Sequence, residues 1–306
     1  MAEPAVEFES VRTTPDTVVP GRGLVGNVWY LLRRWPIIPM IVLALLVIGA
    51  LFAPLLTPLD PIYPDLLDAN TPPFWLSEGS MEHPLGTDNI GRDVFSRLLF
   101  GARISLMVVI VATLSSMVVG TVAGMVAGYA GGNIDEIIMR AVDIWYAVPF
   151  IMVALVLVVV FGKSTGMMII LLLLLAWTGG VRNVRAEVLT LKEFDYVAAA
   201  RIAGAGPSRI LLRHILPGVF NTVLVIVTLR VGALILAEST LSFLGAGIPA
   251  PQPAWGVMVA DGRDYLRQAW WISTIPGVAI FLVVMSFNFS GDWLRDRLDP
   301  RLRQID

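Results

Sequence analysis

The stretch ISLMVVIVATLSSMVVGTVAGMVAG, Ile104 to Gly128, decides the fold class. It runs without one charged side chain for longer than the roughly 20 apolar residues that cross about 30 Å of hydrocarbon. Working outward, five further stretches meet the same requirement: Ile37 to Leu56, Ala141 to Phe161, Met167 to Val184, Thr222 to Leu244 and Ala269 to Phe289. In the fourth, the unbroken apolar run ends near Trp177 and Gly179-Gly180 follows, so the helix is expected to continue beyond the bilayer into the cytoplasm. Composition agrees with this count. Of the 306 residues 56% are hydrophobic and only 15% charged, with a mean hydropathy of +0.76. A soluble domain carries about a quarter charged residues, so the surplus apolar surface needs lipid. The expectation is an all-α integral membrane protein with six spans.

Orientation follows from the excess of Lys and Arg on cytoplasmic flanks. With the amino terminus inside, fifteen of the 22 cations fall on the cytoplasmic side. Arg92, Arg97, Arg103, Lys163, Arg263 and Arg267 fall outside, and Arg230 lies within the fifth span. Both termini are therefore expected in the cytoplasm. The chain divides into a tail with an interfacial helix (1–36), a first span with a long outer loop (37–101), a core of five spans (102–290) and a second tail (291–306). The interfacial helix rests on the stripe Leu24, Val25, Val28, Trp29, Leu32 and Trp35 beside Arg33 and Arg34. The outer loop, rich in Pro and Asp, offers a docking surface on the far side.

Several chemistries are excluded. A net charge of -2 leaves no basic face for nucleic acid. Without cysteine there is no disulfide, thiolate metal site or thiol nucleophile. Gly162-Lys163-Ser164 imitates the end of a phosphate loop, but the position of its first glycine is Leu157, inside an apolar helix. The same turn matches G-x-S-x-G, yet the two histidines, His83 and His214, lie in loops on opposite sides of the membrane. Ser116, Gly120, Gly124 and Gly128 repeat every four residues and mark a face for close helix packing, against either this chain or a second subunit. Asp143, Arg230 and Glu238 are the ionisable groups within spans, and each must face protein, water or a partner charge. Arg230, Glu238 and Asn288 are the candidates for lining a pathway. An ion-coupled transporter would need carboxylates near the midplane, where only Glu238 is a candidate, and it lies toward the outer end. Pro149 and Pro276 are expected to kink their helices.

Between the fourth and fifth spans lies DYVAAARIAGAGPSRILLRHILP, Asp195 to Pro217. The acidic start, three alanines and Arg201 suit a short helix ending at Gly204 or Gly206. A second helix, Ser208 to Leu216, would use Ser208 as its cap, with Pro217 opening the approach to the fifth span. A two-turn helix between spans buries little of itself and makes sense as a knob for another protein; the residues alone are equally those of a solvated loop.

This segment resembles the EAA loop of ABC importer permeases, in which E-A-A is followed after three residues by G and after nine more by I-x-L-P. Ala198-Ala199-Ala200, Gly204, His214 and Leu216-Pro217 fall in that register, with Ala198 in place of the glutamate and His214 in place of the isoleucine. The segments Leu85 to Leu106, Asp135 to Pro149, Glu238 to Gly256 and Gly291 to Leu302 are similar to the dipeptide, oligopeptide and nickel branch. The LGTD and LDPRL motifs resemble its C-type subunit. The resemblance implies a type I importer permease fold, with a cytoplasmic coupling helix between spans 4 and 5 and no catalytic role. It also implies a bacterial or archaeal cell membrane, and half of a pathway for di- or oligopeptides shared with a second homologous permease. One or two cytoplasmic ATPases would carry ATP and Mg, and an extracytoplasmic binding protein would deliver solute. No cofactor or metal is expected on this chain. Asp195, Tyr196, Ala199, Ala200, Arg201, Gly204, Ala205, Arg209, His214 and Pro217 become the expected ATPase-coupling residues.

Overall fold

A computed structural model describes residues 36–298; the interfacial helix before residue 36 and the LDPRL ending after its Leu298 lie outside the described residues. Among the described residues all extended regular structure is helical: α1 (Ile37–Leu51), α2 (Ala53–Leu56), α3 (Val94–Ala130), α4 (Gly132–Ala147), α5 (Phe150–Phe161), α6 (Thr165–Leu191), α7 (Asp195–Ile202), α8 (Pro207–Ile210), α9 (Leu216–Phe243), α10 (Trp255–Gly262) and α11 (Trp271–Leu298). Four helical runs are long and apolar enough to cross a membrane: α3, α6, Pro207–Phe243 and Trp271–Arg297. The pair α4 and α5 meets that test only together, and α1 is a shorter apolar helix.

Three expectations need correction. The span drawn from Ala141 to Phe161 is broken by an 84° bend between α4 and α5. Val148 is extended and Pro149 starts the second helix. The residue before a proline is driven from helical backbone, and proline donates no amide hydrogen bond. Second, α3 begins at Val94 rather than Ile104, so the division drawn at residue 101 falls inside a helix. Asp93 sets this start by accepting from the Ser96 amide at 2.7 Å. Its 37 residues extend about 55 Å, well beyond the hydrocarbon thickness. Third, Ser208 does not cap: Gly206 takes that place and Pro207 occupies the first turn. Pro217 stands in the first turn of α9, at the approach to the fifth span as expected, but with no loop before it. Leu211–Ile215 form a π turn, closed by the Leu216 amide on the Leu211 carbonyl, that carries α8 into α9. Proline cannot continue the α-helical ladder, and one extra residue in the turn absorbs the missing donor. Pro276, by contrast, sits within an unbroken α11.

The small-residue stripe finds its partner within the chain. A methyl group on Gly120 would lie 2.9 Å from the Gly180 Cα, one on Gly124 2.8 Å from the Val181 carbonyl oxygen, and one on Gly128 2.9 Å from the Val188 Cβ. Thus α3 and α6 meet backbone to backbone, as association without hydrophobic drive favours. Two apolar cores flank this seam. One surrounds Leu171, Leu172, Leu234, Ile235, Trp255 and Ile272; the other joins Met117, Val184, Val188, Val197, Ile210 and Ile215 near α7.

The segment before α3 is held by polar contacts. Asp88, 2% exposed, accepts from Arg92 Nε at 2.7 Å and from Arg97 Nη1 at 2.9 Å. Asp261 accepts from the Nη2 of both arginines at 3.3 Å. Trp271 Nε1 donates to the Thr87 carbonyl, and Trp255 Nε1 to that of Leu98. Two of the six cations expected outside are therefore locally neutralised. Burial holds the Asp261 carboxyl above the usual carboxylate range; Arg92 opposes this and Asp88 adds to it.

Candidate functional site

The segment after α6 is a knob with a defined root and a defined tip. At its root Lys192 Nζ donates to the Gly128 carbonyl at 3.1 Å, joining the end of α6 to the end of α3. Val197 is fully buried against the second core, together with Ile210 and Ile215. Asp195 stands in the first turn of α7 and Arg201 in the last, each sign matching the helix dipole. Arg201 also lies over the Tyr129 ring, 5.5 Å from its centroid.

Gly204 ends the helix by geometry only glycine adopts cheaply. Its φ is +80°, the Gly204 amide donates to the Arg201 carbonyl, and the Ala205 amide reaches back to the Ala200 carbonyl at 3.0 Å. This is the paired 5→2 and 6→1 closure that turns a chain sharply out of a helix. The alanines and the glycine thus owe their spacing to one local motif. Around it Asp195, Tyr196, Ala199, Arg201, Gly204, Arg209 and Pro217 are exposed, whereas Ala200, Ala205 and His214 are half-buried. The Nδ1 of His214 is enclosed without a hydrogen-bond partner.

Sequence reasoning missed the apolar tip. Ile202 is 89% exposed, and Phe194 and Leu212 are also exposed. At 100° per residue Ile202 points 140° away from the buried Val197. That offset was the available signal: an isoleucine on the face opposite the anchoring valine.

The three pathway candidates differ in their surroundings. Glu238 is fully buried; Ser242 Oγ donates to it at 2.8 Å, with Ser239 and Ser105 at 3.4 and 3.5 Å, so it ties α9 to α3 within the helix packing. Asn288 Oδ1 faces Gly232, 3.2 Å from where a Cβ would stand. Arg230 is half-buried over Gly179, and a methyl group there would lie 1.8 Å from its Nη2. Asp143, in the span but not a pathway candidate, pairs with Arg182 at 2.6 Å, and Asp135 holds Arg185 bidentately. At the opposite end from α7, a cavity of about 730 Å³ opens among Asn89, Lys163, Ser242, Asp261, Arg263 and Tyr265. Among the described residues no group of three His, Asp or Glu could hold a metal ion.

Comparison with known proteins places this geometry in a family. Residues 120–304 match the binding-protein-dependent transport system inner membrane component. The dipeptide transport system permease protein DppC of Escherichia coli (strain K12) is 42% identical over 280 residues, covering 90% of this chain and 93% of that protein. The oligopeptide transport system permease protein OppC of Bacillus subtilis (strain 168) is 39% identical over 272 residues, covering 89% and 87%. In fold, a chain of the MetNI methionine ABC transporter in an inward-facing conformation aligns with a TM-score of 0.52 at 18% identity, over 66% of this chain and 96% of that one. The chain accordingly belongs to the multi-pass inner membrane components of binding-protein-dependent transport systems.

Proposed function

We propose that this chain is the C-type permease of an ATP-driven importer of di- or oligopeptides, with six spans and both termini in the cytoplasm. In this reading α1 with α2 forms the first span and the bent pair α4 and α5 the third. A second permease completes the pathway, a binding protein delivers peptide, and one or two ATPases bind ATP and Mg on the cytoplasmic side. The knob of residues 195–217 docks into an ATPase. Nucleotide-driven closure there is transmitted through a rigid body, because Val197, Ile210 and Ile215 tie the knob to the core beside the α3–α6 seam. Arg230 and Asn288 face the pathway, while sealed Glu238 latches helices.

The peptide class is supported by 39–42% identity to peptide permeases over most of the chain. The docking role is supported by the exposed Ile202 beside a buried anchor. The test is co-purification from mild detergent with uptake in parallel. Recovery of a second permease and ATPases, lost in Gly204→Arg and Ile202→Asp without loss of membrane insertion, is the expected outcome. Unchanged ATP-driven uptake in both variants overturns the docking assignment. Uptake by the chain alone under an ion gradient overturns the importer reading.

A further inference from the structure

Arg230 is a cation at the middle of α9, and Gly179, over which it lies, is at the middle of α6. A guanidinium does not lose its proton in a protein, so charge within a span requires water or an anion. The acids Glu238, Asp143 and Asp135 are engaged by Ser242, Arg182 and Arg185. Among the described residues Arg230 has neither a hydrogen bond nor an ion pair, and it stays half-buried rather than enclosed.

The two adjacent glycines of α6 divide their work. Gly180 receives the backbone of α3 at Gly120, whereas Gly179 leaves room for the Nη2 end of the guanidinium. A planar, five-donor head matches a carboxylate, which it can grip with two parallel hydrogen bonds. A pathway that passes peptides of differing side chains can only grip what all of them share, the backbone and the two termini. We infer that Arg230, seated on Gly179, receives the C-terminal carboxylate of the peptide within the pathway and sets selectivity for free-acid peptides. This deepens the peptide-importer reading and rests on it.

The test uses the assembled importer in proteoliposomes, with ATP supplied to the ATPase face and binding protein on the opposite face. The probes are trialanine and trialanine amide. Binding-protein loading is measured for each, and rates are compared at saturation. Arg230→Gln is expected to lower the maximal rate for trialanine ten-fold or more, leaving the amide within two-fold and restoring partly in Arg230→Lys. Gly179→Ala, which displaces only the flexible end of the arginine, is expected to give the same selective loss in a complex of unchanged size. Equal losses for both peptides, or a complex that falls apart in Arg230→Gln because the arginine pairs with the second permease, overturn the assignment. If the unaltered complex moves neither peptide under ATP, the peptide reading fails first and this one with it.

Discussion

Asp88 holds two arginines in a site from which water is nearly absent: Arg97 is 1% exposed and Arg92 8%. The carboxylate also accepts from the Arg92 and Ile90 amides, so one side chain organises both the loop and its charge. Removing one member of such a cluster leaves the others charged and buried, at a cost of about 3–5 kcal/mol. Asp88→Ala is expected to lower the detergent-solubilised unfolding temperature sharply. Asp264→Ala, whose only described ion pair is with exposed Arg263 at 3.4 Å, should leave that temperature within error. Equal effects would mean that the buried cluster contributes nothing special.

The helix pair α3 and α6 shows why spacing, not hydrophobicity, specifies association in lipid. From Gly120 to Gly128 every fourth residue of α3 is glycine because α6 occupies the space where a side chain would go. Gly120→Val places branched carbon against the Gly180 Cα and the Trp177 carbonyl, where backbone rather than a mobile side chain must yield. Overpacking of this kind costs about 1–3 kcal/mol. The expected result is a less stable chain with retained membrane insertion, checked by thermal denaturation beside membrane fractionation. The stripe was legible beforehand, since its period equals the helical repeat. Its partner was not, because α6 lies some sixty residues further along the chain and complementary small residues carry no label.

At the scale of the molecule, the surface reports the solvent. Val159 of α5 is 84% exposed, Phe161 73% and Leu45 of α1 65%, while α5 buries only Ala154 and Val158. Such apolar surface is stable against lipid tails or another subunit rather than water. The absence of cysteine makes sidedness directly measurable with single introduced thiols. Ser208→Cys is expected to be shielded from a membrane-impermeant maleimide added to the outer face and reactive once the membrane is opened. Ser80→Cys, in the long loop before α3, should react at once. The reverse pattern would invert the proposed topology.

The sequence by itself determined that the chain lives in a membrane, that it is built of helices, and that a short helix starting at Asp195 ends at Gly204. Each of these follows from local quantities: apolar length, helical period, and a glycine whose positive φ closes a turn within six residues. The kink at Pro149 was legible too, but only the tertiary structure decided that it is an 84° bend, and only it decided the neutralisation of Arg92 and Arg97, the burial of Glu238 among serines and the seat of Arg230 on Gly179. The outcome at these places depends on what stands opposite, often more than fifty residues away in sequence. A buried serine and an exposed one read alike until packing removes the water from one of them.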